Sequence, residues 1–327
     1  MKTGITKKAQ HNPSTPNQDD LLAAFSEFLR LDVAQGDASP ATIRTYKSQI
    51  HAFVDWCRGE GIHPALITDG ELKHYRSHLI DASYARNTIA AKLNVVRRFY
   101  AMAQARGYRP DNPAEGLKPP KDLTARSERV KWHPVAAIQR ILQAPNVATP
   151  MGRRDHAALV LMALHGLRVS EIRRLNVNDV DLEAGEAGTL SVLGKGQKLR
   201  TIYLVPESQS TLLSWLEIRP NVAQAEETAL FVSLHHPAPG TRLSLRSIRR
   251  MVDGYLEALD LKRDGASCHS LRHSFATLSR AAGAKLDALA RAMGHSKVTS
   301  TQIYADIVDA AAENPARFLV GALAGTE

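Results

Sequence analysis

The chain is poor in cysteine: Cys57 and Cys268 are its only two in 327 residues. Far apart and without metal-type spacing, they offer neither a disulfide framework nor a zinc finger, and both are expected as buried, reduced thiols. No apolar run approaches the roughly 20 residues of a membrane span, so no membrane association is expected. The opening MKTGITKKAQHNPSTPNQDD lacks the apolar stretch of a secretory signal, which sets the expectation of a cytoplasmic protein. Internal repeats and long low-complexity tracts are missing as well. Acid is in deficit: 33 Asp plus Glu stand against 42 Lys plus Arg, a formal charge of +9. That imbalance suits a polyanionic partner, although solvated basic faces give the same count.

What is present reads as a soluble globular chain, 44% hydrophobic and 23% charged, long enough for two cores. Residues 1–18 are polar and read as a flexible tail. Four helical segments are predicted over residues 19–110. The first, Asp19 to Val33, carries Leu21, Leu22, Phe25, Phe28 and Leu29 at helical spacing. Ser39 as N-cap with Pro40 at the first position opens the second, whose stripe is Ile43, Tyr46, Ile50, Phe53, Val54 and Cys57. Thr68 with Glu71 forms a capping box for the third, to about Leu79. The fourth, Asn87 to Arg106, ends at Gly107, where a C-cap is expected. Short loops between such helices imply one bundle. Residues 111–132, rich in Pro, Gly and charge, read as a linker. The rest, 133–327, is again mainly helical, interrupted by TLSVL (Thr189 to Leu193) and LRTIYL (Leu199 to Leu204), two strands joined by a GKGQK turn. The expected fold is therefore mainly α: a four-helix bundle, then a mixed α/β domain with a small antiparallel sheet.

Four islands in the second segment offer groups that can handle a phosphate. In HGLRVSEIRRL, Gly166 breaks the chain and Arg168 begins a short helix, where its fork can aim at a phosphodiester. Glu171, one turn on, is placed either to orient Arg168 or as a plain surface carboxylate. The hairpin turn carries Lys195 and Lys198, and a lysine at such a tip can act as a general acid or simply keep the turn soluble. In CHSLRHSFATL, His269 and Arg272 stand at i and i+3 on one side of a helix. His269 and His273 are also i and i+4, but no third ligand has matching spacing, so no metal site is assigned. The fourth island, GHSKVTSTQIYAD, sets His295 nine residues ahead of Tyr304.

In the order Arg168, Lys195, His269 with Arg272, His295 and Tyr304, these islands resemble the signature of the tyrosine recombinases, the phage integrase family. The matching words are GLRVSEI, VLGKGQKLR, HSLRHSFAT and MGHSKVTSTQIY. Met293 departs from the family's frequent Leu, a swap of similar volume. The resemblance implies a SAM-like core-DNA-binding domain at 19–110 and a catalytic domain at 133–327. It implies metal-independent chemistry without a cofactor, with Tyr304 as nucleophile, Arg168 and Arg272 clamping the phosphate, and His295 donating a hydrogen bond. Lys195 would protonate the leaving oxygen, and His269 would assist proton transfer at Tyr304. It also implies double-stranded DNA with an inverted-repeat site as partner, a homotetramer on that DNA, and nucleoid association. A C-terminal tail bearing Phe318, Leu319, Val320 and Leu323 would dock on a neighbouring subunit. Arg44, Lys47, Lys92 and Arg97 in the first domain, with Lys198, Arg242, Arg246 and Arg249 in the second, are further candidates for DNA contact. Two other readings stand beside this one: a type IB topoisomerase-like enzyme, and a catalytically silent DNA-binding accessory protein.

Overall fold

The computed structural model describes residues 16–36, 38–121, 130–194, 197–263, 266–295 and 301–312. The chain divides into two compact units, Met1–Leu123 and Thr124–Glu327.

The first unit is helical. It comprises α1 (Gln18–Leu31), α2 (Pro40–Gly59), α3 (Asp69–Asp81) and α4 (Arg86–Ala105). Local chemistry sets the starts of α2 and α3 as the sequence predicts. Ser39 Oγ accepts the Thr42 amide, and Thr68 and Glu71 cap each other, at 3.2 Å from Glu71 N to Thr68 Oγ1 and 2.7 Å from Thr68 N to Glu71 Oε2. The apolar stripes of all four helices close on one core. Aromatic rings dominate its middle: Phe53 meets Tyr75 edge-on at 4.9 Å and Phe25 meets Phe99 at 5.4 Å. Cys57 is among the buried residues and unpaired.

The second unit is built round a helix buried on nearly every side, α6 (Pro150–Leu164), in which Ala157 through Ala163 are all buried. Around it stand α5 (Val135–Gln143), α8 (Pro206–Ile218) and α10 (Cys268–Ala281), with the short α7 (Val169–Arg174) continuing from its end. Further on are α9 (Leu245–Ala258), α11 (Leu286–Met293) and α12 (Gln302–Ala312). Trp215 fills the centre of this core and donates its indole N–H to Leu230 O at 2.8 Å.

One small antiparallel sheet interrupts the helices, ordered β1 (Val180–Asp181), β2 (Thr189–Leu193), β3 (Leu199–Tyr203). The last two are the predicted hairpin, in register from Thr189 opposite Tyr203 to Leu193 opposite Leu199. β1 was not predicted, because a strand of two residues carries no alternation to read. Among the described residues no helix is long and apolar enough to cross a membrane.

Candidate active site

Local backbone geometry builds this site first. Gly166 lies at φ 64°, and a Cβ there would sit 2.4 Å from Phe275 Cδ1, so only glycine lets the chain turn from α6 to Arg168. Its carbonyl accepts a hydrogen bond from Arg272 Nη1. Gly294 ends α11 in the left-handed conformation, φ 62°, and the turn it makes brings the His295 amide back to Ala290 O at 3.0 Å.

Three guanidinium groups gather where α11 ends. Arg272, on α10, reaches Met293 O at 2.6 Å and His295 Nε2 at 3.1 Å. Arg168 reaches the same Met293 carbonyl at 3.3 Å, and Arg200, on β3, reaches Ala292 O at 3.0 Å. The negative end of the α11 dipole faces these cations and favours their position. Glu171 ties the group together. One carboxylate oxygen accepts from Arg168 Nη1 at 2.9 Å and Arg200 Nη1 at 3.0 Å; the other accepts from the Arg168 amide at 2.8 Å and Arg200 Nη2 at 3.1 Å. Glu171 is 2% exposed, so the surface-carboxylate alternative is excluded.

Tyr304 sits in the first turn of α12, buried with Ala276, Leu289, Met293 and Ile303. Its hydroxyl lies 2.9 Å from His273 Nδ1. The proton-transfer role expected of His269 therefore meets a different arrangement: the histidine one turn further along α10 holds the phenol, since α12 crosses α10 beyond its first turn. His269, in that first turn, is exposed and close enough to Arg272, Arg168 and Arg249 for their charges to act on it. His295 Nδ1 is 2.9 Å from Thr301 Oγ1. Because Arg272 can only donate, His295 Nε2 accepts in this state and Nδ1–H donates to Thr301. Lys195, the remaining member of the expected set, lies outside the described residues; beside it, Gly194 N–H donates to Lys198 O at 2.8 Å and closes the hairpin. A cleft of about 1200 Å³ opens onto Arg168, Arg200, His295 and Lys198.

The electrostatics follow from burial and crowding of like charge. Burial, then Arg168 alongside, lowers the Arg272 pKa to about 10. Burial and the charges of Arg272, Arg168 and Arg200 bring His295 down to about 4. Burial and its neighbours His269 and Arg272 bring His273 to about 4, and partial desolvation with the nearby guanidiniums lowers His269 as well. These imidazoles are thus neutral at pH 7. For Glu171, burial pushes upward, but hydrogen bonds from Arg200 and the Arg168 amide and the two guanidinium charges prevail and keep it below the usual range. Burial raises the Tyr304 phenol, while Arg272 and Arg168 pull it the other way. A net positive pocket of fixed donors is suited to a phosphodiester that gains negative charge as it reacts.

Of the further candidates, Arg44 and Lys47 are exposed on α2, and Arg246 and Arg249 on α9. On α4, Lys92 lies over the Tyr84 ring at 5.0 Å, and Arg97 keeps a buried Nε with no hydrogen-bond partner among the described residues. Arg242 departs from expectation. Its Nη atoms bond Arg173 O at 2.9 Å, Leu175 O at 3.1 Å and Asn176 Oδ1 at 2.6 Å, so they brace the loops after α7 instead of reaching outward. Sequence reasoning missed Arg200 and the contact of His273. Alternation along β3 carried a signal for the first: Arg200 shares the inward face with Ile202, and an inward arginine calls for a carboxylate. His273 was visible only as half of an i, i+4 histidine pair.

The Phage integrase family model matches residues 132–310, and the Phage integrase N-terminal SAM-like domain matches residues 21–108. The chain belongs to the phage integrase family, as a tyrosine-type site-specific recombinase. It is 34% identical over 303 residues to "Tyrosine recombinase XerD" of Xanthomonas campestris pv. campestris, covering 91% of each chain. To "Tyrosine recombinase XerC" of Pelotomaculum thermopropionicum it is 32% identical, over 86% of this chain and 92% of that one. In fold it is similar to the XerH site-specific recombinase bound to palindromic difH substrate in a post-cleavage complex, with a TM-score of 0.71 at 18% identity over 93% of this chain and 90% of that one. It is likewise similar to a lambda integrase dimer bound to a COC' core site, with a TM-score of 0.67 at 18% identity over 89% and 78%.

Proposed function

We propose that the protein cleaves and rejoins double-stranded DNA, with Tyr304 as nucleophile and a 3′-phosphotyrosyl bond as intermediate. The observation that carries this reading is the buried Tyr304 phenol within the electrostatic reach of Arg272 and Arg168. In the reaction the phenolic oxygen attacks phosphorus, the bond to the 5′ oxygen breaks, and that oxygen leaves protonated as a free hydroxyl. Arg168 and Arg272 bind the non-bridging oxygens; once a phosphate takes over Arg272, His295 carries its ring hydrogen on Nε2, with Thr301 Oγ1 donating to Nδ1, and adds a hydrogen bond; and Lys195 supplies the proton to the leaving group. One phosphoester replaces another, so little free energy is lost and the hydroxyl of a second strand reverses the step. His269, on which the charges of Arg272, Arg168 and Arg249 act, assists proton transfer.

One such site breaks one strand, whereas exchange between duplexes needs four. The reading therefore extends to a homotetramer on two inverted-repeat DNA sites, exchanging strands in pairs through a Holliday junction. Residues 313–327, whose Phe318, Leu319, Val320 and Leu323 are the proposed subunit-docking segment, lie outside the described residues. Exposed Arg44, Lys47, Arg246 and Arg249 supply phosphate contacts.

Covalent adducts on nicked duplexes trapped in EDTA, with sequencing of the attached DNA, test the reading and identify the site. Wild-type protein is expected to form adducts and Tyr304→Phe none while still binding. Adducts with Tyr304→Phe, or strict dependence on Mg²⁺, would remove Tyr304 from its role. Relaxation of supercoiled DNA at non-specific sites would favour the topoisomerase-like alternative.

A further inference from the structure

We propose that His273, beyond the residues assigned above, is the catalytic base of this site: its Nδ1 accepts the Tyr304 hydroxyl hydrogen in the free protein and takes the proton as the phenolic oxygen bonds to phosphorus. The inference rests on Tyr304 being the nucleophile. Its geometry is direct. Nδ1 and the hydroxyl oxygen are 2.9 Å apart, with the two rings 5.9 Å between centroids and inclined at 47°. Among the described residues this is the only hydrogen bond of the Tyr304 hydroxyl, and both groups stand on helices, α10 and α12, that pack against each other. A base for this reaction must reach the proton in one step at about 2.6–3.2 Å. His269 is four residues earlier, roughly 6 Å back along the α10 axis, and makes no bond to Tyr304.

The tautomer follows from the contact. If the phenol donates to Nδ1, the ring hydrogen of His273 resides on Nε2. The proton balance is complete: the O–H bond of Tyr304 breaks towards His273, the P–O(Tyr) bond forms, the P–O5′ bond breaks, and the 5′ oxygen takes a proton from the acid of the site. The imidazolium left at His273 returns its proton to the phenol when the hydroxyl of a strand displaces it. His273 faces His269 and Arg272 on its own helix and Tyr304 on α12; burial first, and then the two α10 neighbours, hold its pKa down to about 4. The phenol, raised by burial, keeps its proton at rest. Transfer therefore accompanies phosphorus–oxygen bonding and does not precede it. The free protein thus avoids holding a buried tyrosinate while the acceptor is already in place.

The experiment uses full-length protein on the nicked duplex recovered from covalent adducts, in single turnover. His273→Ala is expected to lose about 10²–10³-fold in cleavage rate while retaining DNA binding, and added imidazole to restore a part that follows the concentration of its neutral form. His273→Asn keeps a hydrogen-bonding group near the Nδ1 position without a basic nitrogen, and is expected to remain slow. In ¹⁵N-histidine spectra of the free protein, His273 Nδ1 should show the shift of an unprotonated ring nitrogen hydrogen-bonded to a donor, and lose that bond in Tyr304→Phe. A wild-type cleavage rate in His273→Ala, full activity of His273→Asn, or imidazole rescue of His269→Ala but not of His273→Ala overturns the proposal. None of these results touches the role of Tyr304, which fails only if Tyr304→Phe still forms adducts.

Discussion

The two units bury different things. Among the described residues, every polar or charged residue that is buried as a whole, from His133 to Thr301, belongs to the second unit; the wholly buried residues of the first are apolar or aromatic, its Tyr100 hydroxyl donating to Pro64 O at 2.9 Å. Apolar burial is dependable stabilisation, whereas a buried charge repays its desolvation only when its partners are well placed. The first unit is thus built for stability. The second gives up some of that for Arg272, Glu171 and the histidines around them, and what it gains is a set of donors already oriented for an anion.

The largest effects should set the units against each other. Phe53→Ala removes a fully buried ring that touches Tyr75 and Trp56, and should cost about 3–5 kcal/mol in stability while leaving the cleavage rate of folded, bound protein unchanged. Arg272→Met should do the reverse: cleavage falls by about 10²–10³-fold, and Tm moves by only a few degrees because an apolar chain of similar length replaces a costly buried charge. Denaturant melts with single-turnover cleavage on the same samples check both. A slow but fully folded Phe53→Ala, or an Arg272→Met that loses stability and activity in proportion, would break the comparison.

Legibility in the sequence follows the same division. In the first unit, caps and stripes are local signals, and Ser39, Thr68, Glu71 and Gly107 mark helix ends where they stand. The hairpin strands were readable for the same reason. In the second unit the order of motif words brought Arg168, Arg272, His295 and Tyr304 to notice, yet which groups touch depends on how helices cross. His269 and His273 are one turn apart on α10, and nothing local tells which one meets α12. Arg242 shows the opposite error: its charge drew attention, but its bonds to Arg173 O, Leu175 O and Asn176 make it a brace. Arg200 went unnoticed because its carboxylate partner lies 29 residues away.

Within the second unit, two buried carboxylates sharpen the contrast between bracing and site. Asp155 meets Arg154 at 2.6 Å and Tyr255 at 3.2 Å, yet burial outweighs these partners and raises its pKa above 3.8. Glu171, with two guanidiniums and a backbone amide, lies below 4.5. The signs of linkage therefore oppose. Glu171 contributes stability that is complete above about pH 4.5 and fades as pH falls through its lower folded value. Asp155 binds its proton more readily folded than unfolded, so it adds stability as pH falls through its raised value. Measured against Glu171→Gln, the wild-type advantage should shrink on acidification; measured against Asp155→Asn, it should grow, each by at most about 1.4 kcal/mol per pH unit. Parallel slopes in urea melts between pH 6 and 3.5 would mean that the two pairs are alike.

The smallest change makes the sharpest comparison, because the same lost cap can be placed in either unit. Ser39 Oγ accepts the Thr42 amide at 3.2 Å at the start of α2, and Ser267 Oγ accepts the His269 amide at 3.3 Å at the start of α10. Replacing either serine by alanine should cost about 1 kcal/mol. In α2 that loss stays a loss of stability, since the first turn of the helix carries no group of the site. In α10 the freed turn carries His269 and leads directly to Arg272, whose Nη atoms hold Gly166 O, Met293 O and His295 in place. Ser267→Ala should therefore slow cleavage several-fold at equal saturation with DNA, and Ser39→Ala should not. Equal cleavage by the two variants, at matched losses in Tm, would show that the first turn of α10 can loosen without disturbing the guanidinium it leads to.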